Sequence, residues 1–130
     1  MSLALAESGM TPEQIDYIAA HGTSTPKNDV NETLAVKSVF GPHAYRLMVS
    51  SNKGHIGHTI SAAGVCNVVF TVKALREGVA PPTLNLRHPD PDCDLDYVPN
   101  LGRPARIGTA LCNAFAFGGQ NVSLAVRVWE

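Results

Sequence analysis

The sequence predicts an α/β domain with a mixed sheet and a buried helix, in the order β-α-β-α-β-β. Two short apolar segments, 15–20 and 47–50, each run into a polar loop holding histidine and glycine. Each loop is followed by a helical pattern. Near the C-terminus, two further apolar segments are separated only by a glycine-rich turn. That arrangement makes an α/β layer rather than an all-helical or all-strand fold.

In chain order, residues 2–8 read as a helix that stops at Gly9. Thr11-Pro12-Glu13-Gln14 is a helix-start signal, with proline first and a glutamine placed to close a capping box. It gives only one turn, because Ile15–Ala20 is a strand leading into His21-Gly22. A second helix fits 29–40, with Asp29 as N-cap, Glu32 completing a capping box, and Val30, Leu34 and Phe40 as its apolar stripe. Leu47–Ser50 is the next strand. A third helix over about 58–77 carries Ile60, Ala63, Val65, Val68, Val69, Val72 and Leu75 around most of its circumference. Such a helix is expected to be covered on both sides. Six of the nine prolines fall within 81–104, a stiff connection with a short strand expected around Leu95–Val98. Ile107–Phe115 and Val122–Trp129 close the sheet across a turn at Phe117–Asn121.

Composition narrows the function classes. A length of 130 residues fits one domain, and 45% hydrophobic residues can build a sizeable core. Ten basic residues against eleven acidic ones leave no basic stripe for nucleic acid. A near-neutral, apolar domain is also suited to being one piece of a larger body. The three cysteines, Cys66, Cys93 and Cys112, are odd in number and never at CxxC spacing. That argues against a disulfide framework and against a zinc knuckle, and for a reducing compartment. The first ten residues lack the basic and apolar regions of a signal peptide. No apolar run approaches the roughly 20 residues that span a bilayer. The expectation is a soluble, cytoplasmic chain with no membrane partner.

Three polar clusters sit at strand ends or turns. His21-Gly22-Thr23-Ser24-Thr25 concentrates donors on a loop, although the hydroxyls serve equally as helix-start residues. Ser50 to His58 places Lys53, His55 and His58 among glycines before a helix, a setting suited to oxyanion, thioester or phosphate stabilisation. It is not a P-loop, since GxxxxGK[ST] is absent. No carboxylate or cysteine completes a metal set with the histidines, so no metal is expected. Asn113 to Asn121 holds two phenylalanines and a Gly-Gly turn, either core plus tight turn or an aromatic gate with exposed N–H groups.

Taken together, the clusters resemble the signature of β-ketoacyl-acyl carrier protein synthases, specifically their C-terminal half. His21-Gly22-Thr23-Ser24-Thr25 is followed by Asp29 and by Glu32, eleven residues after the histidine, with Asn28 standing where the family usually has glycine. Lys53, Gly57-His58 and Ala62-Ala63-Gly64 are in the family's spacing, with Ser61 replacing a glycine. Asn113 to Asn121 matches the C-terminal motif except at Ala114, Ala116 and Gln120, and Pro81-Pro82-Thr83-Leu84-Asn85 is also similar.

The resemblance implies one half of a thiolase-like fold over residues 1–130. It implies decarboxylative condensation of malonyl-carrier protein with an acyl thioester in fatty acid or polyketide synthesis. His21 and His58 would hydrogen-bond the malonyl thioester carbonyl, Lys53 would be the active-site lysine, and Glu32 its partner carboxylate. Thr23 and Thr25 would bind the pantetheine arm. Phe117 and Gly118 would form the gate, with the Phe117 N–H in the oxyanion hole and Phe115 packed beside Phe117. No cofactor is implied beyond the phosphopantetheine that carries the substrates on acyl carrier protein. The family's cysteine nucleophile lies in an N-terminal half, and none of the twenty residues before His21 is cysteine. The chain alone is therefore expected to be inactive, to partner the missing half, and to self-associate or form a homodimer. A non-catalytic carrier-protein-binding or assembly module is the alternative, and a thiolase acting on coenzyme A is disfavoured by the first and third motifs.

Overall fold

The computed structural model describes residues 1–129. Its centre is a four-stranded mixed sheet in the order β2-β1-β5-β6, formed by β1 (Tyr17–Ala19), β2 (Met48–Ser50), β5 (Thr109–Phe115) and β6 (Asn121–Arg127). β1 runs parallel to both β2 and β5, and β6 returns antiparallel to β5. The expected β-α-β-α-β-β order is therefore present, with α1 (Ser2–Ser8) added in front and a two-stranded ribbon, β3 (Val79–Ala80) with β4 (Arg103–Pro104), bracketing the proline-rich connection.

Alternation along the strands assigns two faces. Ile18, Val49 and Leu111 lie in register on one side and pack with Leu5 of α1 and with Val36 and Phe40 of α2 (Asn28–Phe40). Tyr17, Ala19, Ala110 and Cys112 face the other side, against Ala74 of α4 (Ala63–Glu77). The sheet is thus sandwiched between α1–α2 and α4. Its three-residue central strand is wholly buried, so every side chain on it is committed to packing.

The predicted turns at the N-terminus are present. Gly9 ends α1 in the left-handed conformation, and Thr11 with Gln14 closes a capping box around a single turn at Pro12–Gln14. Elsewhere the structure corrects the reading. α2 begins at Asn28 with Lys27 at its N-cap, so Asp29 is inside the helix and Glu32 closes no capping box there. The Glu32 carboxylate has turned towards the sheet instead, where it meets stronger demand. Glu32, Thr33, Val36 and Phe40 are the buried positions of α2, whereas Leu34 is 56% exposed.

The helix predicted over about 58–77 forms as α4 only from Ala63, after a single turn at Ile60–Ala62, and a short helix that was not predicted, α3 (Lys53–Ile56), precedes it. Gly57 ends α3, with φ near +76° and ψ near 178°, a conformation that only glycine adopts freely. α4 is not covered on both sides. It meets the sheet through Ala63, Asn67, Thr71 and Ala74, small or polar residues on one stripe. Val65 and Val69 lie opposite, at 67% and 52% exposed. Val122, Leu124 and Val128 on β6 and just after it are open too. No strand forms over Leu95–Val98. Asp96 makes one bridge to Met48, and Leu95 and Val98 are buried in opposite cores.

Gly22 follows β1 with φ near +42°, and a Cβ there would lie 2.6 Å from the Ser51 Cβ. Strain and overpacking act together, so Gly22→Ala should cost roughly 2–4 kcal/mol in urea unfolding. Gly9→Ala, with similar φ but open space, should cost only about 1–2 kcal/mol.

Candidate functional site

The carboxyl ends of β1, β2 and β5 point to the same edge of the sheet, where the three polar clusters meet. β1 delivers His21, β2 is followed by Ser51 and Lys53, and β5 delivers Asn113 and Phe115. Glu32 reaches the group from α2. Buried at 6% exposure, its carboxylate accepts from the backbone N–H groups of His21 and Gly22, both at 2.9 Å, and from Asn113 Nδ2 at 3.0 Å. Asn28, the residue in place of the family's glycine, adds a 3.4 Å contact from Nδ2.

Lys53 Nζ donates to the carbonyl oxygen of His21. Among the described residues no ion pair joins Lys53 to Glu32, which corrects the expected pairing. The two charges instead grip opposite ends of His21: the carboxylate takes its N–H and the ammonium its C=O. The physical reason is that the Glu32 oxygens are already occupied by three close donors. Burial lowers the Lys53 pKa, and the fields of Glu32 and Asp29 oppose that shift.

The His21 ring packs on two neighbours, with ring centroids 5.7 Å from His58 in an edge-to-face arrangement and 5.4 Å from Phe115. Its Nδ1 accepts from the Phe115 backbone N–H at 3.3 Å. His58 Nδ1 accepts from the Ile60 N–H at 3.1 Å. In the neutral form of either ring the proton is therefore on Nε2, and that Nε2–H has no partner among the described residues. Burial, with Lys53 and His58 nearby, brings the His21 pKa down to about 4.

A cavity of about 750 Å³ opens beside this group, lined among others by Thr23, Thr25, Lys53, His58 and Tyr97. The Thr23 and Thr25 hydroxyls are 3.0 Å apart. The structure thus brings together His21, His58, Lys53, Glu32, Thr23, Thr25 and Phe115. It leaves Phe117 apart, fully exposed, with Gly118 beside it at φ near +81°. Phe115 packs on His21, a contact the sequence pattern does not indicate. Among the described residues no three His, Cys, Asp or Glu side chains are placed to hold a metal ion.

Sequence reasoning missed Ser51, whose hydroxyl donates to the Gly22 carbonyl at 2.8 Å and accepts from the Lys53 N–H at 3.3 Å. It also gave Asn113 no role. Both lie within the polar clusters, but only the folded spacing shows what they hold.

The family model described as the beta-ketoacyl synthase C-terminal domain matches residues 1–87. This chain belongs to the β-ketoacyl synthase family. As a β-ketoacyl synthase domain it is 51% identical over 127 residues to 3-oxoacyl-[acyl-carrier-protein] synthase 2 of Synechocystis sp., covering 98% of this chain and 30% of the relative. The synthase of the same name from Coxiella burnetii is 50% identical over 131 residues, covering 100% of this chain and 32% of the relative. The domain thus spans about a third of the length of these relatives. The thiolase-like ketosynthase fold is shared with a type II polyketide ketosynthase solved with its acyl-carrier protein and bound to a hexaketide. That match has a TM-score of 0.96 and 38% identity, covering 98% of this chain and 31% of that one. The motif at Asn113 to Asn121 lies beyond the residues matched by the family model but within the stretch these relatives cover.

Two measurements test the site. With a pKa near 6.5 unfolded and about 4 folded, His21 binds fewer protons in the folded state. Its stabilising contribution is complete above pH 6.5 and is lost as pH falls towards 4, a swing of up to about 3 kcal/mol. A histidine NMR titration should show no His21 titration above pH 5. Separately, Glu32→Gln sets an amide N–H against a backbone N–H and should destabilise the chain by about 2–3 kcal/mol in urea melts.

Proposed function

We propose that this domain is the malonyl-handling half of a 3-oxoacyl-[acyl carrier protein] synthase, acting in fatty acid or polyketide synthesis. The observation that carries the proposal is the tautomer of the two histidines. Each Nδ1 is occupied by a backbone N–H, so His21 and His58 each offer an Nε2–H donor. Kinship with two 3-oxoacyl-[acyl-carrier-protein] synthases supports the reaction class. The polyketide ketosynthase solved with its acyl-carrier protein supports such a carrier as partner.

In the proposed reaction, the malonyl thioester of acyl carrier protein places its carbonyl oxygen against the two Nε2–H groups. The bond between the α-carbon and the carboxylate carbon breaks, carbon dioxide leaves, and the electron pair becomes an enolate. Charge that develops on the thioester oxygen is met by donors already in place. The enolate carbon then attacks an acyl thioester held on the cysteine of the companion N-terminal half, expelling the thiolate. A neutral His21 suits this work, and its low pKa keeps it neutral at pH 7. Lys53 adds positive potential and fixes His21 through its carbonyl. Thr23 and Thr25 receive the pantetheine arm, and Phe117 with Gly118 forms the gate. No resident cofactor or metal is required.

In this reading the nucleophile belongs to the N-terminal half. Cys112 is buried, bonded to Thr71, and its thiol pKa is raised by burial. On this proposal the domain acts with that N-terminal half in a cytoplasmic enzyme and is inactive in condensation alone. The open valines of α4 and β6 fit self-association or a homodimer as well as cover by that half. Among the described residues no helix is long and apolar enough to cross a membrane.

His58→Ala in the complete synthase tests the reading. Malonyl decarboxylation and condensation should fall by about 10²-fold or more, with acyl transfer to the cysteine retained. A condensation rate equal to that of the parent enzyme would remove His58 from the mechanism.

A further inference from the structure

One buried polar side chain has no part in the motifs or in the reaction described above. Asn67 lies on the sheet side of α4, 1% exposed. Its Nδ2 sits within hydrogen-bond distance of three carbonyl oxygens: Asn113 at 2.9 Å, Ala20 at 3.1 Å and Ala19 at 3.4 Å. Its Oδ1 is buried and has no partner among the described residues. The surroundings fix the orientation of the amide, because turning it over would set Oδ1 against three carbonyl oxygens. A side chain that leaves its own oxygen unpaired in the interior is one whose other end satisfies groups that an apolar residue would strand.

Those groups belong to the two segments that carry the site. Ala19 and Ala20 lead directly into His21, and Asn113 stands two residues before Phe115. The Phe115 N–H donates to His21 Nδ1 across the gap between them, at 3.3 Å. That contact is already at the long end of the useful range, so a small change in spacing between β1 and β5 breaks it. Asn113 is held from both faces, and its Oδ1 also accepts from the Ser123 hydroxyl at 2.7 Å. Its side chain donates to Glu32 from the α2 face, and its carbonyl accepts from Asn67 on the α4 face.

Resting on the reading of His21 as a donor, we propose that Asn67 is a positioning residue. Its amide clamps the ends of β1 and β5 onto α4 and so keeps the His21 ring in line with the Phe115 N–H, with its proton on Nε2. Glu32 sets the same ends from the opposite face. The two clamps are not redundant, because one holds N–H groups and the other holds carbonyls.

Asn67→Asp tests this at almost constant shape, replacing the donor with an acceptor. In ¹⁵N-histidine NMR of the full chain, the parent should show His21 as a single tautomer with unprotonated Nδ1, and the variant should show mixed tautomers. In the complete synthase, kcat for condensation should fall at least tenfold while KM for the acyl thioester stays within twofold. Unchanged His21 nitrogen shifts in the variant would overturn the clamp. Should the variant not fold, side-chain amide exchange in the parent chain decides. The Asn67 amide should exchange at least 100-fold more slowly than that of exposed Asn31, and equal rates would overturn the clamp. Loss of the single tautomer with undiminished condensation would support the clamp and defeat the donor role given to His21.

Discussion

The carboxylate of Glu32 accepts from the N–H groups of His21 and Gly22 and from the amide of Asn113, and the rest of the site is arranged around it. Parallel strands end by exposing backbone groups that the ladder no longer pairs. Here a charged acceptor from α2 takes up two such N–H groups and one side-chain donor. Charge-assisted bonds of this kind are about twice as strong as neutral ones, which offsets part of the cost of burying the carboxylate. The same contact explains why α2 turns a glutamate inward on the face that also buries Val36 and Phe40.

The electrostatics of the site follow from that placement. Glu32 does not neutralise Lys53 by touching it. The two act on one residue from either side, and the histidine between them feels the ammonium more than the acid. The ring remains neutral first because it is buried and then because of that field. A protonated His21 would lose Nδ1 as an acceptor and with it the contact to Phe115. Protonation state and geometry are therefore one property of this residue.

Much of this was legible in the sequence. The order of elements, the Gly9 stop, the Thr11 capping box and the alternating strands follow from local rules. The motif spacing also named the residues that gather at the strand ends. What was not legible depended on long-range contact. Glu32 fits a capping box by position, and only the folded chain shows its carboxylate taken instead by the His21 and Gly22 N–H groups and by Asn113 of β5, some eighty residues later. The valines of α4 look like core by composition, yet the sheet takes the stripe of alanine, asparagine and threonine, because close helix–sheet contact favours small side chains. Phe115 and Phe117 are two residues apart, and no local pattern says which of them meets the histidine.

The central strand has a consequence for how the chain forms. β1 is three residues long, and its partner on one side, β5, begins some ninety residues further on. A ribosome adding about 5–20 residues per second needs roughly five to twenty seconds to supply that partner. Until then Tyr17, Ile18 and Ala19 have only β2 to pair with, and the loop holding His21 has no Asn113 beneath it. Loop-closure entropy must be met before those contacts form, which is the regime of slow folding. The middle of the sheet is thus laid down some ninety residues before the strand that completes it, and in the interval an apolar strand edge is left for chaperones to cover.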